Sequence, residues 1–252
     1  MPYANNEHIR IHYQVEGEGP PLVLHHGFAG SIEDWYERSY VEGLKNDYQL
    51  ILLDARGHGI SDKPHDPKAY EIQRRVGDVT AVLNHLNVSK AHFFGYSMGG
   101  WMGFAMAKYA PERFQSLIIG GCDPYNLDPG PYDRRVQVLR KGLDAAIAFM
   151  EKRLGSLSPQ RRARVLASDV EALVAITLAE RDEPGFEDVL PAMPCLLFAG
   201  EAAIEYPIEK DWSKHMPNVT FFSLPDLDHV QAIDRSDLVL PHIKKFLAQV
   251  NQ

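Results

Sequence analysis

Short apolar runs alternate along this chain with longer amphipathic stretches, and the alternation predicts an α/β protein with a mostly parallel central sheet covered by helices on both faces. Three observations carry that expectation. Residues 22–24, 49–53, 116–119 and 194–200 are nearly continuous apolar runs, as expected of strands buried on both faces. Ile72, Val76, Val79, Val82, Leu83 and Leu86 recur at helical spacing. A serine between glycines, in Gly95-Tyr96-Ser97-Met98-Gly99, joins a β-prone run at 91–94 to a helical run at 101–110 that Pro111 stops.

The remaining elements follow in order. Residues 8–15 alternate polar and apolar, as a half-exposed strand does, and Asn5-Asn6 is placed to turn a hairpin before it. After a Gly/Pro loop at 17–21, the strand at 22–24 opens into His25-His26-Gly27-Phe28. A helix capped by Ser31 takes in Trp35 and Leu44. The strand at 49–53 ends in Asp54-Ala55-Arg56-Gly57-His58-Gly59-Ile60-Ser61-Asp62, and the helix at 70–86 follows. From 125 to about 188 the pattern is helical, with nine Lys/Arg against four Asp/Glu between 131 and 170, a local +5 in a chain of −8. This stretch reads as a helical cap, 125–188, inserted into a single core of 1–124 and 189–252. Its charge suits solvated helix faces, and also an anionic substrate. Strands return at 194–200 and 219–224. Leu238, Ile243, Phe246, Leu247 and Val250 then mark a last helix that either starts late or kinks at Pro241.

Composition sets the outer limits. A chain of 252 residues suits one large α/β domain, and 45% hydrophobic with 24% charged residues is the balance of a soluble globular protein. No apolar run has the length of a membrane span, and the N-terminus lacks the basic start and apolar core of a signal peptide. Cys122 and Cys195 each lie at or beside an apolar run, which favours buried free thiols and a cytoplasmic location. The net charge of −8 argues against nucleic acid as a partner. No His-Glu-x-x-His or similar spacing occurs, so no metal and no cofactor is expected.

The glycine-flanked serine is where the chemistry concentrates. A sharp strand-to-helix turn lifts Ser97 Oγ clear of the sheet and leaves the Met98 N–H at a helix start, where backbone donors can hold a developing oxyanion. A serine hydroxyl needs a base within hydrogen-bond reach. His229, in the loop after the strand at 219–224, is the candidate.

His25-His26-Gly27-Phe28, the Asp54–Ser61 segment, Gly95-Tyr96-Ser97-Met98-Gly99-Gly100 and Asp228-His229, in this order, resemble the α/β-hydrolase superfamily, most closely its compact bacterial serine esterases. The resemblance implies a serine hydrolase acting on a small-molecule carboxylic ester through an acyl-enzyme. In it Ser97 is nucleophile, His229 base, and the Phe28 and Met98 N–H groups form the oxyanion hole. His26 braces the loop at the pocket, and Asp54 and Arg56 hold the neighbouring loop. Tyr125, with Leu139, Phe149 and Leu154, is placed either to line the pocket or to form the core of the cap. The acid departs from the pattern. The family's usual Gly-x-x-Asp reads Gly200-Glu201-Ala202-Ala203 here. Asp123, at the preceding strand end, is the first choice; Glu201 and Glu205 are alternatives from the usual loop, and an incomplete triad is the third reading. A serine in the elbow disfavours dehalogenase or epoxide-hydrolase chemistry, which resembles an aspartate-nucleophile design. Carboxylesterase, lactonase, thioesterase and carbon–carbon hydrolase remain together, with a non-catalytic ligand binder as the rival from another class.

Overall fold

The computed structural model describes residues 2–125 and 128–251. Its eight strands are β1 (Tyr3–Asn6), β2 (Ile9–Glu16), β3 (Pro21–His25), β4 (Gln49–Leu53), β5 (Ala91–Tyr96), β6 (Phe114–Gly120), β7 (Cys195–Gly200) and β8 (Val219–Leu224). They form one sheet in the order β1-β2-β4-β3-β5-β6-β7-β8. The first two pairings, β1 with β2 and β2 with β4, are antiparallel, and every later one is parallel.

The continuous apolar runs have the cause inferred from the sequence. Side chains alternate across a strand, and here both faces are covered. Val23, Ile51, Phe93, Leu117 and Leu197 pack on one face with α3 (Ile72–His85) and α4 (Met98–Tyr109). Leu24, Leu52, Phe94, Ile118 and Phe198 pack on the other, against α1 (Glu33–Glu37), α2 (Tyr40–Leu44), α10 (His229–Asp234) and α11 (Ser236–Val250). Between β6 and β7 lie α5 (Gly130–Leu139), α6 (Leu143–Leu154), α7 (Pro159–Leu166) and α8 (Val170–Asp182). These four share a small core of their own, with Val136, Leu139, Ile147, Val165 and Leu173, and the Phe28 side chain packs against it. The last helix to be placed, α9 (Tyr206–Ser213), connects β7 to β8.

Several details differ from the sequence expectation. The hairpin turns at Glu7-His8, both at positive φ, because Asn5 and Asn6 belong to β1 and pair with Arg10 and Ile9. The helix expected after Ser31 is two short helices broken at Ser39, whose φ of 61° interrupts the spiral, and the Ser31 side chain caps neither. Helix α11 begins at Ser236 and continues through Pro241, so it does not start late; the proline leaves one intrahelical bond unmade. Cys122 and Cys195 are free thiols, the second buried and the first partly so. No described helix is long and apolar enough to cross a membrane.

Candidate active site

Strand β5 is buried along its whole length and delivers the chain to Ser97 at the N-terminus of α4. Ser97 has φ 57° and ψ −117°, a conformation that costs an L-residue of order 1–3 kcal/mol and persists only when its surroundings impose it. The surroundings do so from both sides. The Ser97 N–H donates to the Gly120 carbonyl at 2.8 Å, and its carbonyl accepts from Trp101 N–H at 2.9 Å. A Cβ on Gly95 would overlap the Gly99 carbonyl oxygen, and one on Gly99 would overlap that of His25. Strand, turn and helix are thus too close for any other residue at those two positions.

Beside the serine, residues 27–30 form a turn in which Gly30 N–H donates to the Gly27 carbonyl at 3.0 Å. His26 holds this turn down. Its Nε2 accepts from Ala55 N–H at 3.0 Å, which places the ring proton on Nδ1, donated to the Gly27 carbonyl at 2.8 Å. Burial pushes this imidazole down to about 4, so it is neutral and bracing. Among the described residues, the Phe28 and Met98 N–H groups meet no hydrogen-bond acceptor, which suits two donors kept for a ligand oxygen. The neighbouring loop is held as its sequence suggested. Asp54 accepts from Ile32 and Ile60 N–H and pairs with His12, while Arg56 forms a fork with buried Asp78 at 2.9 and 2.6 Å.

His229 opens α10, buried, its ring 5.2 Å from that of Tyr96 and its carbonyl accepting from the Tyr96 hydroxyl at 2.5 Å. The Nδ1 of His229 is hydrogen-bonded to the Glu205 carboxylate. Burial pushes Glu205 up, but the His229 charge and hydrogen bond outweigh it, and the carboxyl lies below its ordinary value. The carboxylate that meets Nδ1 is thus Glu205, one of the two alternatives, rather than Asp123, the first choice. Asp123 is partly buried, turns its Oδ1 back to Tyr125 N–H at 2.9 Å, and burial raises its carboxyl. Glu201 is exposed and accepts from the Ser223 hydroxyl at 2.7 Å. Asp228 is spent on a capping box with Gln231 at the start of α10. The sequence signal for Glu205 was Pro207: proline in a first turn marks a helix start, which places Glu205 at the N-cap of α9.

Ser97, His229, His26, Gly27 and Phe28 line one cavity of about 160 Å³, roofed by α5, α6 and α7. Leu139, Phe149 and Leu154 line it, as expected. Tyr125 does not; it packs instead against the core on the α3 and α4 face of the sheet. Charged groups missed from sequence also reach the wall: Asp34, Arg38, Arg135, Arg153 and Arg161. Arg161 is 8% exposed, pairs with Asp34, and donates through Nη2 to the Phe28 carbonyl at 2.9 Å. Burial, and then nearby Arg164, push its guanidinium down to about 10. Among the described residues no cluster of three or more His, Cys, Asp or Glu is placed to hold a metal ion.

Comparison with known proteins bears on the family and the fold. The chain is 26% identical over 270 residues, with 95% of it and 96% of the relative covered, to a Bacillus subtilis protein named as a putative 2-succinyl-6-hydroxy-2,4-cyclohexadiene-1-carboxylate synthase. Its fold is that of the enol-lactonase from Burkholderia xenovorans (TM-score 0.88, 22% identity, 98% of this chain and 100% of that one). It is equally that of a thermophilic esterase from Thermogutta terrifontis (TM-score 0.87, 22% identity, 100% and 99%). The family model for the alpha/beta hydrolase fold matches residues 20–169. With the serine on its strained turn, the sheet order and that match together, the chain belongs to the α/β-hydrolase fold family.

Proposed function

We propose that this protein is a serine hydrolase that cleaves carboxylic esters by acyl transfer, under a helical cap formed by 125–188 on a core of 1–124 and 189–252. The observation that carries the reading is the pairing of His229 Nδ1 with Glu205 in the cavity that Ser97 also lines. Glu205 fixes the His229 tautomer, which leaves Nε2 free to take the Ser97 proton as Oγ attacks the ester carbonyl. The Phe28 and Met98 N–H groups receive the oxyanion, each worth roughly 2.7–4 kcal/mol of barrier by analogy with such donors elsewhere. His229 then returns its proton to the departing alkoxide, and the Ser97 ester forms. Water, deprotonated by His229, attacks that ester; the acid leaves and Ser97 recovers its proton. The charge of Glu205 stabilises the imidazolium at both stages.

Cyclic esters undergo the same steps, so lactones fall within the proposal. A pocket that binds without turnover would be favoured by a histidine lacking its acid, and Glu205 removes that support. The test is a fluorophosphonate probe together with a short p-nitrophenyl ester series. Wild type is expected to label at Ser97 and to hydrolyse the esters, and Ser97→Ala to do neither. An unlabelled wild type that leaves every ester intact would sink the proposal.

A further inference from the structure

Four guanidinium groups and one carboxylate reach the wall of the Ser97 cavity, in a chain whose net charge is −8. Three of the four are already engaged. Arg38 pairs with Asp34 at 3.3 Å and Asp234 at 2.6 Å. Arg161 pairs with Asp34, and Arg135 with Glu180 at 3.2 Å while lying over the Phe28 ring at 4.7 Å. Arg153 is the exception: among the described residues no carboxylate or carbonyl takes its guanidinium, which lies 5.9 Å from the Phe149 ring centroid.

The position of this free charge gives it meaning. Arg153 belongs to the last turn of α6, where a cation suits the helix terminus. Lys152 is in that turn too, but it is Arg153 that lines the cavity. Two residues on, Gly155 packs against the Asp228 side chain, so this end of α6 is seated on the segment that carries His229. The charge is felt at the triad, where Arg153 is among the groups that favour the ionised form of Glu205. Arg153 is exposed whereas Ser97 is partly buried, which puts the guanidinium at the mouth and the serine deeper. The wall beside it, with Phe149, Met150, Leu154 and Leu157, is apolar.

Resting on the serine-hydrolase reading, we infer that the substrate is an ester whose acyl chain ends in a carboxylate, with Arg153 as the specificity residue that takes that carboxylate. The apolar wall suits the methylenes between the two ends, and the planar fork of arginine suits a bidentate carboxylate. A charge-assisted hydrogen bond of this kind discriminates by roughly ten- to hundred-fold.

The experiment compares mono-p-nitrophenyl esters of succinate, glutarate and adipate with the same esters carrying a terminal carboxamide, at low ionic strength. The quantity read is the ratio of kcat/KM, acid over amide. For wild type at least one chain length is expected to give a ratio of roughly ten or more, falling with salt. Arg153→Gln should bring it to near one, Arg153→Lys should keep part of it, and Arg153→Glu should invert it. A wild-type ratio near one with Ser97-dependent turnover of both series overturns the inference and leaves the hydrolase reading standing. So does a ratio that survives Arg153→Gln. If neither series is turned over, the hydrolase reading fails, and calorimetry with monobutyl adipate decides the inference alone. Binding weakened roughly ten-fold or more by Arg153→Gln supports it, and equal or absent binding refutes it.

Discussion

Replacing Glu205 by glutamine separates the acid assignment from every rival in the sequence. Glu205 and His229 are 9% and 8% exposed, so the imidazolium formed during turnover has little water to stabilise it. The carboxylate can only accept, and so fixes the proton on His229 Nδ1 and leaves Nε2 as base. A glutamine amide at the same site can donate to Nδ1, which moves the ring proton to Nε2 and leaves no base facing Ser97. Loss of both functions corresponds to roughly 10⁴-fold in kcat, about 5 kcal/mol of barrier. Asp123→Asn is the control. Its oxygen can still accept from Tyr125 N–H, so the expected cost is at most about 1 kcal/mol of stability, with kcat within roughly three-fold. Initial rates on p-nitrophenyl acetate, with circular dichroism and urea midpoints to verify folding, make the comparison. If Asp123→Asn collapses while Glu205→Gln stays within roughly ten-fold of wild type, the assignment of Glu205 is wrong.

The other predictions concern what holds the site in place. Gly99→Ala puts a methyl group into the His25 carbonyl, and overpacking against backbone should cost about 3 kcal/mol or more, read as a lowered urea midpoint or loss of soluble protein; wild-type stability would refute the close approach. Arg161→Met strips buried Asp34 of one of its three arginines and leaves the Phe28 carbonyl without its donor, for an expected loss of roughly 1–3 kcal/mol with kcat falling more than KM rises. An unchanged kcat in a stable variant would separate Arg161 from the oxyanion turn. Glu209 is buried one turn beyond Glu205 on α9, and burial followed by the Glu205 charge pushes its carboxyl well up. The folded state then keeps a proton that the unfolded chain releases above about pH 4.3. Stability should therefore decline as pH rises from there, by up to about 1.4 kcal/mol per unit, and Glu209→Gln should flatten that limb in urea midpoints taken between about pH 5 and pH 8. A variant curve as steep as wild type would refute it.

The sheet was legible because its strands are buried on both faces, and a run such as Leu50-Ile51-Leu52-Leu53 is too apolar for a surface and too short for a buried helix. Ser97 was legible for a steric reason, since Gly95 and Gly99 are demanded by backbone atoms that lie within the motif or close to it in space. What escaped reading depends on contacts between segments far apart in the chain. Asp34 pairs with Arg38 one helical turn on and draws in Arg161 and Arg164 from more than a hundred residues away, and no local pattern shows that those two distant arginines are tied to one carboxylate while Arg153 is not. The excess of cations at 131–170 was visible; its division into structural and unclaimed charges was not. Tyr125 failed as a pocket residue for the same reason, because an aromatic after a strand can serve a core or a cavity, and only the tertiary packing decides.

The proposed shift of the acid to Glu205 follows from how the loop after β7 is tethered. Ala202 N–H donates to the Leu227 carbonyl at 3.0 Å and Ala203 N–H to that of Gly200 at 3.0 Å, so the turn lies against the segment leading to His229. Ala203 is buried at 7% exposure and offers only a methyl group. Two residues later the chain enters α9, and a glutamate there has one more methylene than an aspartate to span the gap. The helix start also favours the anion, since the unpaired N–H groups of a first turn stabilise negative charge. Burial of Glu205 is thus offset twice, by α9 and by His229. Glu209, one turn further on, is a poor substitute: it is more deeply buried, and burial followed by the Glu205 charge drives its carboxyl toward the neutral form. In this loop the partner of His229 is set by where a carboxylate can stay ionised within reach of Nδ1, and that condition favours Glu205, the proposed acid, over the position where the motif would place it.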